Sequence, residues 1–313
     1  MQLDGKNRAT PPMAGTLTPF IAGPLCVTTL IPTHMKTLLT TCVLVVSLLG
    51  NVFSQDLKVS LDQTTAKWLD SKIVGDRFLI QCYIPSQSKI PVDSLPVVFI
   101  LDSDMSFGLA YDVVRWLRWG NEIPEVAIIG ISYGSNQTDW WNKRSRDYTP
   151  SKDKTKLWGD WPLAGGGSKF EKFIELELFK FINDEFKLKG YSKTIVGLSL
   201  GGLICTDILF SKPDLFNNYV ILGPALQWND KEIFKKEIKF FENHSDLKAN
   251  VFTAIGINDG KTITEPWAEF IDQVKSRNYK GLTLNTWIVD KETHLSMYPS
   301  GLTRGLETTL NKK

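Results

Sequence analysis

The stretch Thr194-Ile195-Val196-Gly197-Leu198-Ser199-Leu200-Gly201-Gly202 decides how the rest of the chain is read. A short β-branched run enters it, and an apolar run from Leu203 to Phe210 with helical character leaves it. Between them Gly197, Ser199 and Gly201 make the pattern G-x-S-x-G. In a strand–turn–helix context this pattern places a serine on a tight, strained turn with its hydroxyl exposed. Small neighbours are required there for steric reasons. The helix that follows supplies free N–H groups and the positive end of its dipole. Ser199 is therefore the candidate nucleophile.

Working outward, the chain alternates strand-like and helix-like segments. Strands are expected at 78–84, 97–101, 126–131, 194–197, 219–222, 251–255 and 282–289, each β-branched or aromatic and bounded by turn residues. Several, such as Val97-Val98-Phe99-Ile100-Leu101, are continuous apolar runs. Such runs suit strands buried on both faces of a largely parallel sheet. Helical patterns fall at about 105–119, 170–187, 201–211, 229–243, 265–278 and 297–311. The alternation predicts a three-layer α/β domain, with a mostly parallel central sheet flanked by helices. Residues 133–169 break the rhythm. They are polar, aromatic and glycine-rich without clear periodicity, and they hold Trp140, Trp141, Trp158 and Trp161 before Gly165-Gly166-Gly167. A loop of this length inside a compact domain is expected to be functional and to border the active site.

A serine nucleophile needs a general base. The chain has three histidines. His34 lies in the leader, and His244 sits in the polar run Glu242-Asn243-His244-Ser245, as a solvated residue would. His294 follows the last strand, as the chain order serine, acid, histidine requires. Asp259, in the loop after 251–255, is the expected acid, holding the imidazole tautomer and stabilising the imidazolium. Glu265 is the runner-up. Two backbone N–H groups are needed for the oxyanion. Leu200 follows the nucleophile, and Asp104 lies where an earlier strand end, Leu101-Asp102-Ser103, enters a helix that Asp102 or Ser103 also suits as cap.

The bulk properties agree with an ordinary globular enzyme: 313 residues, 42% hydrophobic and 22% charged. A net charge of +2 gives no electrostatic footprint for nucleic acid or an anionic membrane. Met35-Lys36, the apolar run to Gly50 and the exit Val52-Phe53-Ser54 read as a secretory signal over 35–54, cleaved near Ser54-Gln55, with no stable membrane span left in the mature form. The exported protein is then periplasmic or secreted. Residues 1–34 read as a non-native extension upstream of a true start at Met35, and 55–313 as a single catalytic domain. Of four cysteines, Cys82 and Cys205 fall in the mature chain, both in apolar surroundings that suit buried thiols. No CxxC or Cys/His cluster suggests a metal.

At this point the mature chain resembles the esterase family of α/β hydrolases that takes in enterochelin (siderophore) esterases and feruloyl esterases. The resemblance rests on Ser71 to Arg77 leading to Tyr83-Ile84-Pro85, on Pro96 to Asp102, Tyr133-Gly134 and Arg144-Ser145-Arg146-Asp147-Tyr148-Thr149-Pro150. It continues through Gly165-Gly166-Gly167, the elbow, Trp228, Asp259 and His294. It implies the triad Ser199, Asp259 and His294, with Leu200 and Asp104 as oxyanion donors. This chain departs from the family in having Ser103 where glycine is common after the aspartate. It also has Gly223-Pro224-Ala225-Leu226-Gln227-Trp228 where Ser-Pro-Ser often precedes aromatics. Related members often carry a glutamate at the position of Asp259. The expected reaction is hydrolysis of a small-molecule ester, a siderophore or a carbohydrate-linked ester among the options, through an acyl-enzyme and without metal or organic cofactor. Trp140, Trp141, Trp158, Trp161 and Trp228 are candidates for stacking on a flat or sugar-like substrate part, or for packing on the sheet edge. Arg146, with Tyr148 beside it, either binds a substrate carboxylate or pairs with a neighbouring acid. Acyl transfer to an alcohol would use the same residues. A non-catalytic binding protein on this scaffold would typically lack the serine or the histidine, and both are present.

Overall fold

The structure is a computed structural model that describes residues 60–310 apart from 135, 136 and 158, together with positions 32–35, 37, 38 and 41. The reading of 1–34 and of the signal segment therefore falls almost wholly outside the described residues, and Trp158 lies outside them too.

An eight-stranded sheet forms the centre. Its strands are β1 (Thr64–Ser71), β2 (Asp76–Tyr83), β3 (Val97–Ile100), β4 (Ala127–Ser132), β5 (Lys193–Leu198), β6 (Asn218–Leu222), β7 (Asp246–Gly256) and β8 (Lys280–Val289). They lie in the order β1-β2-β4-β3-β5-β6-β7-β8. β2 pairs antiparallel with β1 and β4, and every pairing from β4 through β8 is parallel. This is the expected three-layer α/β architecture. The continuous apolar runs are explained by burial on both faces. Val97 and Phe99 join one core while Val98 and Ile100 join the other, because successive side chains of a strand point to opposite sides.

The helices are α1 (Ser103–Trp119), α2 (Gln137–Asp147), α3 (Gly167–Phe173), α4 (Phe179–Phe186), α5 (Leu200–Ser211), α6 (Trp228–Asn243), α7 (Lys261–Arg277) and α8 (Tyr298–Leu310). α5 is buried from Leu200 to Phe210, so it is apolar all round rather than amphipathic. Each Leu or Ile it buries contributes about 1.5–3 kcal/mol of transfer free energy. Where one helix is expected over 170–187, α3 and α4 are joined by a π-helical turn, Ile174–Leu178. The wider turn keeps Phe170, Phe173, Ile174, Leu178 and Ile182 all in the core.

Two elements carry no apolar pattern to announce them. β1 is a largely exposed edge strand, with Lys67 bound to Glu185. A lysine on an edge strand discourages edge-to-edge pairing. α2 lies inside the segment expected to be irregular. Its buried stripe runs Trp140, Arg144, Asp147, at helical spacing, but two of the three positions are charged. Cys82 and Cys205 are buried free thiols, and burial pushes the Cys82 thiol up to about 12.

Candidate active site

The site assembles at the carboxyl ends of β3, β5, β6, β7 and β8. Ser199 links β5 to α5 with φ 61 and ψ −116, outside the regions where non-glycine residues rest comfortably. Such a residue costs on the order of 1–3 kcal/mol and persists only where its surroundings enforce it. Here its N–H donates to the Leu222 carbonyl at 2.9 Å, and its carbonyl accepts from Leu203 at 2.9 Å and from Ala225 at 3.1 Å. Gly197 is required by contact: a Cβ there would lie 2.2 Å from the Gly201 carbonyl oxygen.

The loops after β7 and β8 are stitched together. Ile257 donates its N–H to Val289 at 3.0 Å and Asn258 to Glu292 at 2.9 Å. That stitching brings Asp259 against His294, with Nδ1 and Oδ1 3.1 Å apart. The Asp259 side chain is fully buried, while that of His294 is 30% exposed. Asp259 Oδ2 has no hydrogen-bond partner among the described residues. Gly223, at φ 45, passes beneath the pair: a Cβ there would lie 3.0 Å from the imidazole ring, so a side chain would push His294 aside. Glu265 is turned to solvent beside Lys261 and does not line the cleft.

Asp102 sits at the N-cap of α1 with φ 52, but its carboxylate does not cap the helix. Instead it accepts from Arg144, Nε at 2.7 Å and Nη2 at 3.0 Å. Arg144 Nη2 also donates to the Leu198 carbonyl, one residue before Ser199, at 3.1 Å. Burial works to lower the Arg144 pKa, but the charge of Asp102 and its hydrogen bonds outweigh that and hold the guanidinium above its ordinary value. One buried ion pair thus ties the loop after β3 to the elbow. The Asp104 carboxylate accepts from the N–H groups of Tyr133 and Gly134, each at 2.9 Å, and so fixes the end of β4. The N–H groups of Asp104 and Leu200 each lie in the first turn of a helix, where no intrahelical carbonyl is available to them.

Two cavities meet at Ser199, Arg144, Trp141 and His294. The smaller, about 330 Å³, is walled by Trp141, Trp161, Trp228, Ile263 and Gln227. The larger, about 670 Å³, is walled by Met105, Leu109, Trp140, Leu295 and Tyr298. The aromatic rings form a chain: Trp140–Trp141 at 4.7 Å, Trp141–Trp161 at 5.9 Å and Trp161–Trp228 at 6.4 Å between centroids. Of the residues expected to touch substrate, Trp140, Trp141, Trp161 and Trp228 border these cavities. Arg146 does not; Asp147 and Asp76 occupy its guanidinium, at 2.7 and 2.8 Å. Tyr148 is fully buried and accepts the Asp102 N–H at 3.1 Å, a supporting place behind the cleft. The sequence reading leaves Arg144 and Gln227 without roles. Arg144 lies one helical turn from Trp140 on the same face, a relation that appears only once the segment is known to be a helix.

Comparison with known proteins places the chain in a family. The family model described as "Putative esterase" matches residues 71–296. The ferri-bacillibactin esterase BesA of Bacillus subtilis is 28% identical over 235 residues, covering 71% of this chain and 81% of that protein. The BES protein from Bacillus cereus superposes with a TM-score of 0.74 at 26% identity, covering 84% of this chain and all of that one. An IroE-like serine hydrolase from Shewanella oneidensis gives a TM-score of 0.69 at 25% identity, covering 78% of this chain and 79% of the other. With a match across most of the chain and the strand order described above, the protein belongs to this esterase family and is a serine ester hydrolase with the α/β-hydrolase fold.

Proposed function

We propose that the chain hydrolyses a small-molecule ester through an acyl-enzyme, with Ser199 as nucleophile, His294 as base and Asp259 as the acid that orients it. The observation that carries this reading is the convergence of the strained Ser199 turn and the His294–Asp259 pair on the same cavities. The Ser199 oxygen attacks the ester carbonyl and its proton passes to the imidazole. The imidazolium, stabilised by Asp259, then protonates the departing alcohol as the C–O bond breaks. Water repeats the sequence on the acyl-enzyme and releases the acid. The N–H groups of Leu200 and Asp104 hold the oxyanion in both halves. Nothing in this sequence draws on a metal or an organic cofactor.

The substrate reading follows the relatives, whose names include a ferri-bacillibactin esterase and a siderophore enterobactin esterase. A siderophore ester is therefore the first substrate to try. The apolar, tryptophan-lined cleft supports a flat, partly aromatic substrate. Export is part of the proposal through the leader at 35–54, and no described helix is long and apolar enough to cross a membrane. N-terminal sequencing of the native protein should begin at Gln55; a peptide from 1–34 contradicts a start at Met35.

The test is hydrolysis of p-nitrophenyl acetate and butyrate, then of siderophore and feruloyl esters, by the full chain beside Ser199→Ala. Loss of kcat on the order of 10⁴- to 10⁶-fold in the variant is expected. Wild-type inertness toward the whole set would contradict the proposal.

A further inference from the structure

The two edges of the sheet are finished differently. β1, at one edge, carries Lys67 and Asp70, and Lys67 is bound to Glu185. β8, at the other, pairs only with β7 among the described residues. From Gly281 to Val289 it has no charged residue and no proline. The run Leu282-Thr283-Leu284-Asn285-Thr286-Trp287-Ile288-Val289 is rich in β-branched and aromatic residues, which favour strands. It keeps one unbroken register against β7, from Leu282 opposite Ala249 to Val289 opposite Gly256. Ile288 is 51% exposed. A long, regular, apolar edge is an open template for another strand, and natural proteins blunt such an edge with charge, proline or a bulge, or else cover it. The run from Leu282 to Val289 has none of the blunting devices.

The strand is also complementary to itself. Two copies related by a two-fold axis normal to the sheet run antiparallel, and each face stays on its own side. Residues opposite each other then share a face, so the axis falls on a residue, which meets its own copy. With Asn285 at the centre, Leu282 stands against Ile288, Leu284 against Thr286 and Thr283 against Trp287, each pair occurring twice. Alternation within the chain agrees: Leu282 and Leu284 pack toward one core of the sheet and Trp287 toward the other. Outside the run, Lys280 lies beyond Gly281, where φ 86 ends the extended stretch, and Asp290 follows Val289. Both are exposed and both are five positions from Asn285, so the lysine of each copy comes to the end that carries the partner's Asp290. A centre at Leu284 brings Lys280 to Ile288, and a centre at Thr286 brings Leu282 to Asp290. Of these three registers, the one on Asn285 joins aliphatic to aliphatic and charge to opposite charge. Two β8 strands close on each other as a pair, whereas β8 on β1 of another copy would repeat without closing.

We propose that the protein forms a two-fold dimer in which β8 of each copy adds antiparallel to β8 of the other, centred on Asn285, so that the two sheets become one. This goes beyond the reading of the candidate active site and does not depend on it.

Sedimentation velocity of the full chain across micromolar concentrations tests it. Wild type should sediment at twice the mass of its chain. Because Asn285 meets itself, Asn285→Lys and Asn285→Asp should each set two like charges about 5 Å apart across the pair, and each should sediment as a monomer. An equimolar mixture of the two should recover the dimer, since lysine then faces aspartate. Ile288→Lys places a lysine on the edge at an exposed position and should raise the dissociation constant at least roughly tenfold. It decides the matter if circular dichroism shows that the Asn285 variants do not fold. Wild type that stays monomeric would overturn the proposal, as would an assembly that grows past two copies. A dimer of unchanged affinity in the folded variants, or a mixture of the Asn285 pair that stays monomeric, would overturn it too.

Discussion

The two cavities beside Ser199 share Trp141 but differ at their rims. The smaller is walled by tryptophans packed on one another: Trp228 is 1% exposed and its indole is bonded to Ser151, and Trp161 lies between it and Trp141, edge-on to the first and tilted against the second. The larger is rimmed by Met105 and Leu295, which are 74% and 69% exposed. Stiff aromatic walls hold a shape with little entropy left to lose. Flexible Met and Leu rims adapt to chains of different length. The contrast leads us to expect a division of labour, in which the small cavity selects by shape and the large one accepts by apolar contact. Arg144 and Ser199 belong to both.

Perturbations should separate the two in a graded order. His294→Ala should cost on the order of 10⁴- to 10⁶-fold in kcat, and Asp259→Asn about 10⁴-fold, irrespective of which cavity a substrate uses. Unequal losses on short- and long-chain esters would break the idea of one shared centre. Arg144→Met strands the Asp102 carboxylate in the interior and should destabilise the protein by about 3–5 kcal/mol, measured by urea unfolding. Trp228→Ala empties one wall of the small cavity, with a cost of about 3–5 kcal/mol for a fully buried aromatic. Trp161→Ala should raise KM for an aromatic ester by up to tenfold, as loss of a ring pair worth about 0.5–1.5 kcal/mol implies. Met105→Ala should leave stability within about 0.5 kcal/mol. Its mark should be a fall of about fourfold in the hexanoate-to-acetate ratio of kcat/KM for each buried methylene lost. A larger shift from Trp161→Ala than from Met105→Ala on that ratio would reverse the division.

How legible each region is in the sequence follows the same contrast. The sheet and the elbow can be read because apolar runs and a G-x-S-x-G turn leave strong local patterns, and chain order singles out His294 and Asp259, which the structure places 3.1 Å apart. Several strands run a residue or two beyond the expected bounds, and β7 starts five residues early, through the more polar stretch Asp246 to Asn250. The segment 133–169 hides its helix because α2 buries Trp140, Arg144 and Asp147, a stripe held by ion pairs and ring contacts rather than by aliphatic packing. Hydrophobic periodicity has nothing to register there. Arg146 is the more conspicuous arginine of its run beside the expected aromatics, yet Asp76, seventy positions upstream, claims it. Sequence proximity carries no trace of that partner.

Covalent labelling of the full chain with diisopropyl fluorophosphate, followed by peptide mapping, tests the central claim most directly. The reagent exchanges fluoride for the most nucleophilic serine oxygen, so one adduct per chain is predicted, on Ser199, in step with loss of ester hydrolysis and absent from Ser199→Ala. An adduct on another residue that accounts for the loss of activity, or hydrolysis that persists in Ser199→Ala, would contradict the account.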